Sequence, residues 1–156
     1  MPLSHIPEGY HSVTPYLIVE GAAAAIDFYV EAFGAQEVLR LPMGDRLGHA
    51  EIRIGDSHVM LADEFPEMGF LGPKKRGGTT ASLMVYVKDA DSCFAHALAS
   101  GATEERPVED QFWGDRAGTL LDPFGHRWTI ATQVEKVPPD QLEARMAAWM
   151  ESQAPD

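Results

Sequence analysis

Between His49 and Ala62 the chain alternates apolar and polar residues on both sides of Gly55-Asp56-Ser57, which predicts a β-hairpin with one buried face. Ala50, Ile52 and Ile54 share one face of the first strand, opposite His49, Glu51 and Arg53. Val59 and Leu61 continue the apolar face in the second strand, opposite His58, Met60 and Ala62. Upstream, Val13 to Val19 reads as a strand with Leu17 and Val19 on one side and Thr14, Tyr16 and Ile18 on the other. Ala22, Ala25, Ile26, Tyr29 and Phe33 then recur at helical spacing, and Gly34 supplies the residue without a Cβ that suits a helix C-terminus. With a short strand over Glu37 to Leu41, the predicted order is β-α-β-β-β.

The same order returns after residue 80. Ser82 to Val87 reads as a strand, Asp89 as the cap of a helix carrying Ala90, Cys93, Phe94, Ala97 and Leu98, and Gly101 as its stop. Strands follow over Thr103 to Val108, Arg116 to Leu121 and Arg127 to Thr132, the last two joined by the turn Asp122-Pro123-Phe124-Gly125. Val19 matches Val87, Gly34 matches Gly101 and Ala62 matches Ala131, offsets of 68, 67 and 69 residues, so the pattern predicts an internal duplication. The two modules cover residues 12–62 and 81–134. Residues 63–80, rich in Pro, Gly, Lys and Phe, form a connector, either a linker between halves or a lid. Leu142, Met146 and Trp149 predict a helix over 138–152 that packs on the body or on a second subunit.

Composition narrows the partners. A chain of 156 residues with a net charge of −12 has no basic surface for nucleic acid or an anionic membrane. Lys74-Lys75-Arg76 beside two glycines reads as an exposed loop. One cysteine excludes an internal disulfide, and the absence of a long apolar run or a signal-like start points to a cytoplasmic protein.

The strand faces turned away from the apolar core gather Thr14, Tyr16, His49, Glu51, Arg53, His58, Met60, Ser82, Met84, Tyr86, Arg116, Arg127 and Thr129. Aromatic and thioether side chains among a few polar groups are what a small-molecule cleft needs, whereas a solvated sheet face rarely carries them. His49 and Glu51, two residues apart on one strand, point the same way and are candidates for a general base and its orienter, or for a structural pair with Arg53 or Arg116. The exposed Phe112-Trp113 pair is expected to wall the cleft or meet a second subunit, and Arg116 to clamp an acidic group of the ligand.

The duplication, the Asp122 to Trp128 turn and strand, and the Ala25-Ile26-Asp27-Phe28-Tyr29 to Phe33-Gly34-Ala35 helix together resemble the vicinal oxygen chelate superfamily. That superfamily includes glyoxalase I, bleomycin-binding proteins and extradiol dioxygenases, and the nearest likeness is to its PhnB-like, glyoxalase/bleomycin-resistance branch. The resemblance spans Ser12 to Val134. It implies an α+β fold in which two tandem βαβββ modules form a curved mixed sheet around a cleft, followed here by a C-terminal helix, and it implies a homodimer. It also implies a divalent metal ion held by side chains of the first and last strand of each module. Carried onto this chain, those positions are Thr14, Met60, Ser82 and Thr129, none a usual ligand. The expectation is therefore a small-molecule-binding protein without cofactor or metal. The alternative is a glyoxalase-like lyase, isomerase or dioxygenase using one divalent ion or the His49/Glu51 pair.

Overall fold

The computed structural model describes residues 2–155. Its order is β1 (Tyr16–Val19), α1 (Ala22–Phe33), β2 (Gln36–Met43), β3 (Arg46–Ile54), β4 (Ser57–Asp63), α2 (Pro73–Arg76), β5 (Ser82–Tyr86), α3 (Ala90–Ala99), β6 (Thr103–Asp110), β7 (Asp115–Leu121), β8 (Arg127–Gln133) and α4 (Pro139–Ser152). The strands make two four-stranded mixed sheets, β1-β4-β3-β2 and β5-β8-β7-β6, rather than one. In each, the first and last strands of a module pair in parallel and the remaining pairs are antiparallel, so the duplication is present in the topology itself.

Alternation decides which face is core. Leu17, Val19, Ala50, Ile52, Val59 and Leu61 are buried in the first sheet, and Leu120, Trp128 and Ile130 in the second, beneath Ile26 and Tyr29 of α1 and Phe94 and Ala97 of α3. Gly34 ends α1 at φ 68, where a Cβ would be strained, and its N–H reaches Val30 O. Asp89 caps α3 through Ser92 N as the sequence predicts. The α1 start is capped from a distance: Asp63 Oδ1, at the end of β4, accepts from Gly21 N and Ala22 N while Oδ2 accepts from Leu47 N.

The two modules are joined through the turn after β7. Asp122, 4% exposed, accepts from Tyr29 Oη (2.5 Å), Trp128 Nε1 (2.9 Å), Phe124 N (2.9 Å) and His126 N (3.0 Å). Tyr29 belongs to α1, so one buried carboxylate ties the first module's helix to the second module's last hairpin. Burial and the adjacent Asp122 charge push the Tyr29 phenol well above its ordinary pKa, leaving it protonated as the donor. His126, from the same turn, donates through Nε2 to Ile18 O on β1 (2.9 Å).

The connector is folded. Phe65 and Phe70 form an isolated bridge, and α2 is anchored because Glu64, 7% exposed, accepts from Gly72 N (2.7 Å) and pairs with Lys75 (3.0 Å). The Gly72 N–H, then Lys75, hold the Glu64 carboxyl below its ordinary pKa. A carboxylate with a depressed folded value contributes stability that is complete above its unfolded value and lost as pH falls through the folded one. The gap in thermal midpoint between wild type and Glu64→Gln is therefore expected to be widest at neutral pH and to close below the ordinary carboxylate range. A gap independent of pH would show that the charge on Glu64 contributes nothing.

Candidate functional site

On the open face of the first sheet, β1, β4 and β3 place Tyr16, Met60 and Glu51 side by side, since Tyr16 and Glu51 are both register partners of Met60. The Tyr16 hydroxyl lies 2.8 Å from His49 Nδ1, and His49 Nε2 lies 3.2 Å from Glu51 Oε2. A carboxylate can only accept, so Nε2 carries the proton, Nδ1 is the acceptor and the Tyr16 hydroxyl donates to it. Burial raises the Tyr16 pKa, which keeps that donor protonated. The His49-Glu51 pair of the sequence analysis is thus one part of a three-residue chain. Its third member, Tyr16, was expected only as a ligand contact.

Tyr16 also borders a hollow of about 430 Å³ lined by Ile18, Met43, Gly48, Ala62, Phe65, Met68 and Phe70, with Asp63 at its edge. Three of these come from the connector, so that segment forms a wall. A register shift between Leu41 and Pro42 on β2 breaks the alternation of β3, so that Leu47 is buried while the next residue, Gly48, opens onto the hollow. The Asp63 carboxylate is taken up by backbone donors. The nearest guanidinium, Arg46, stacks 4.0 Å over Phe65 and is paired with Glu67. The walls are apolar and hold no uncommitted charge.

Other predicted site residues lie elsewhere. Arg53 bonds Gln36. Thr14 precedes β1 and, with Met60, lies against the N-terminal segment around His5 to Ser12, where Tyr10 stacks on His58 (4.1 Å). Nothing in the sequence pattern announces that cover. A second hollow of about 470 Å³ between the modules is lined by Tyr10, Thr14 and His58 on one side and by Leu83, Met84, Val85 and Tyr86 of β5 on the other. On the second sheet Ser82, Met84, Tyr86 and Thr129 share the open face with Ala117 and Thr119. There Tyr86 Oη and Trp113 Nε1 both donate to buried Asp115 (2.9 and 2.8 Å). That bond to Asp115, then burial, raises the Tyr86 pKa.

Arg116 is a correction. It pairs in register with Thr132, on the face opposite Thr129, and its guanidinium is held by Asp91 of α3 (2.6 and 2.9 Å) and by Asp110 (3.2 Å). It points toward the helix and cannot clamp a ligand in the cleft. Phe112 faces Trp149 of α4 (centroids 5.9 Å), and Arg145 reaches the Phe112 carbonyl, so this ring covers the C-terminal helix.

The positions that carry metal in the resemblance offer a thioether and three hydroxyls, of which Thr129 is bonded to Thr119 (3.1 Å). This donor set does not fit a dication, which takes imidazole, thiolate or carboxylate. Among the described residues no three His, Cys, Asp or Glu side chains cluster in a way that could hold a metal ion.

A duplicated βαβββ chain whose two sheets repeat one strand order defines a protein of the paired-module α+β class. The chain belongs to the Glyoxalase/Bleomycin resistance protein/Dioxygenase superfamily, whose family model matches residues 9–130. It is 43% identical over 141 residues to a protein of Mycobacterium bovis, covering 88% of this chain and 93% of that one. A solved gene product of Arabidopsis thaliana superposes with a TM-score of 0.64 at 26% identity, covering 78% of this chain and 98% of that one. The PhnB protein of Bacillus cereus shares the fold, with a TM-score of 0.63 at 21% identity over 78% of this chain and 99% of that one. No helix among the described residues is long and apolar enough to cross a membrane.

Proposed function

We propose that this protein binds a neutral, flat organic molecule in the hollow beside Tyr16, without a resident divalent ion. The observation that carries this reading is the hollow of about 430 Å³, within the range of small-molecule pockets, with apolar and aromatic walls and one hydrogen-bonding chain at its rim. A carboxylate ligand is disfavoured, because Arg46 and Arg116 are already paired and the protein carries a net charge of −12.

The open faces also support a homodimer. Tyr16, Leu41, Met43, Met84 and Tyr86 are all more than 45% exposed, and Met146 and Trp149 of α4 are partly so, apolar side chains that a second copy of the chain would cover. Sedimentation is expected to show a dimer; a monomer at all concentrations removes this part. The half-buried single thiol, Cys93, suits a reducing cytoplasm.

The binding reading is tested by calorimetry with 4-nitroanisole as a neutral probe and 4-nitrobenzoate as its acidic counterpart. Chelator-treated protein is expected to bind the first in preference to the second, and Arg116→Ala to leave both affinities within twofold. Binding that requires added metal, or that favours the acid and collapses in Arg116→Ala, overturns the reading.

A further inference from the structure

The geometry points to Tyr16, His49 and Glu51 acting as a proton acceptor for an acidic hydroxyl, a phenol or an enol, on a molecule seated in the adjoining hollow. This rests on the binding reading above and adds the chemical class of the ligand.

Direction is the first argument. Glu51 is 13% exposed, and among the described residues its side chain makes one hydrogen bond, to His49 Nε2. Arg53 is engaged by Gln36 and Arg116 lies on the other module's helix face, so no guanidinium neutralises this carboxylate. With Nε2 donating to this carboxylate, Nδ1 is left without a proton and can accept. Every bond in the chain then points one way: Tyr16 O–H to Nδ1, and Nε2–H to Glu51. The Tyr16 oxygen, its own proton already directed at His49, has lone pairs free to accept from a ligand hydroxyl.

Position is the second argument. Tyr16 is the residue shared by the chain and the hollow, and the hollow offers no other acceptor with a free charge, since Asp63 is held by three backbone N–H groups. The step balances without a co-reactant. The ligand O–H bond breaks as its proton passes to Tyr16 Oη, and the Tyr16 proton passes to His49 Nδ1. The ligand becomes an oxyanion bonded to the Tyr16 hydroxyl, and the imidazolium sits against Glu51. Tyr16 is the contact residue and Glu51 the positioning residue, acting through His49 in the manner of a carboxylate that orients its imidazole and stabilises the imidazolium that forms.

The probe is 4-nitrophenol, whose phenolate absorbs at longer wavelength than the phenol, read at a pH where the free probe is mostly protonated. Bound to the wild-type protein it is expected to show at least a threefold higher phenolate fraction than free in the same buffer. Tyr16→Phe, which keeps the ring as a wall, and Glu51→Gln are each expected to return the bound probe to the free spectrum. Binding of 4-nitroanisole, which has no acidic proton, is read alongside. If neither probe binds the wild type, the binding reading fails and this inference with it. If 4-nitroanisole binds but 4-nitrophenol is not ionised, or if ionisation survives in both variants, the relay alone is overturned.

Discussion

Asp122→Ala is expected to destabilise the protein by about 3 to 5 kcal/mol, the cost of leaving several buried donors without an acceptor. Tyr29 Oη and Trp128 Nε1 both lie in the core and both end on Asp122 Oδ2, while Oδ1 holds the two backbone N–H groups of the turn. For a chain of this size each kcal/mol moves the thermal midpoint by about 2 to 4 °C, so the loss is on the order of 10 °C. Tyr29→Phe removes one charge-assisted bond and keeps the ring contacts with Phe33 and Trp128, so about 1.5 to 3 kcal/mol is expected. The two changes share one bond, and their costs in urea unfolding must be less than additive. Full additivity, or an Asp122→Ala cost below about 1 kcal/mol, would mean that the carboxylate does not join the modules.

Ala62→Phe is expected to lower affinity for 4-nitroanisole at least tenfold, about 1.4 kcal/mol or more, with the fold kept. Ala62 sits on β4 opposite Ile18 of β1 and lines the hollow, so a benzyl group built there occupies the space that a flat ligand needs. The core face of β4 is carried by Val59 and Leu61 and is not touched. Far-ultraviolet circular dichroism checks the fold, and titration calorimetry the affinity. Unchanged affinity would place the ligand elsewhere, the hollow between Tyr10, His58 and β5 being the next site to examine.

Much of the architecture is legible in the chain because it depends on local periodicity. Alternation in residues 49–62 sets the buried face of β3 and β4, helical spacing and Gly34 set α1, and Asp89 sets the start of α3. A repeat offset of 67 to 69 residues between the halves predicts two modules of one topology, and two sheets with the same strand order are found. His49 and Glu51 are also legible as neighbours, because residues two apart on a strand must share a face.

Arg116 was misplaced because β7 does not alternate cleanly. Ala117 and Leu120 are both buried, on opposite faces of the strand, so the sequence offers two equally good parities. Only the pairing of Arg116 with Thr132, and of Thr119 with Thr129, decides between them. The connector could be read as linker or lid, since its lack of period says nothing about Glu64 gathering Gly72 and Lys75 to hold it against the first sheet.

What the sequence determined by itself is the order of the two repeated modules and the core faces of the strands that alternate cleanly, consequences of residue type and spacing along one strand or helix; the poor match of Thr14, Met60, Ser82 and Thr129 to a metal ion came with the family resemblance. What the tertiary structure alone decided is which distant groups meet. Tyr16 finds His49 across 33 residues, and Tyr29 finds Asp122 across 93. Those meetings depend on strand register and on the docking of one module against the other. Register is set by bulges and turns far from the residues it brings together, so short-range pattern carries no record of it.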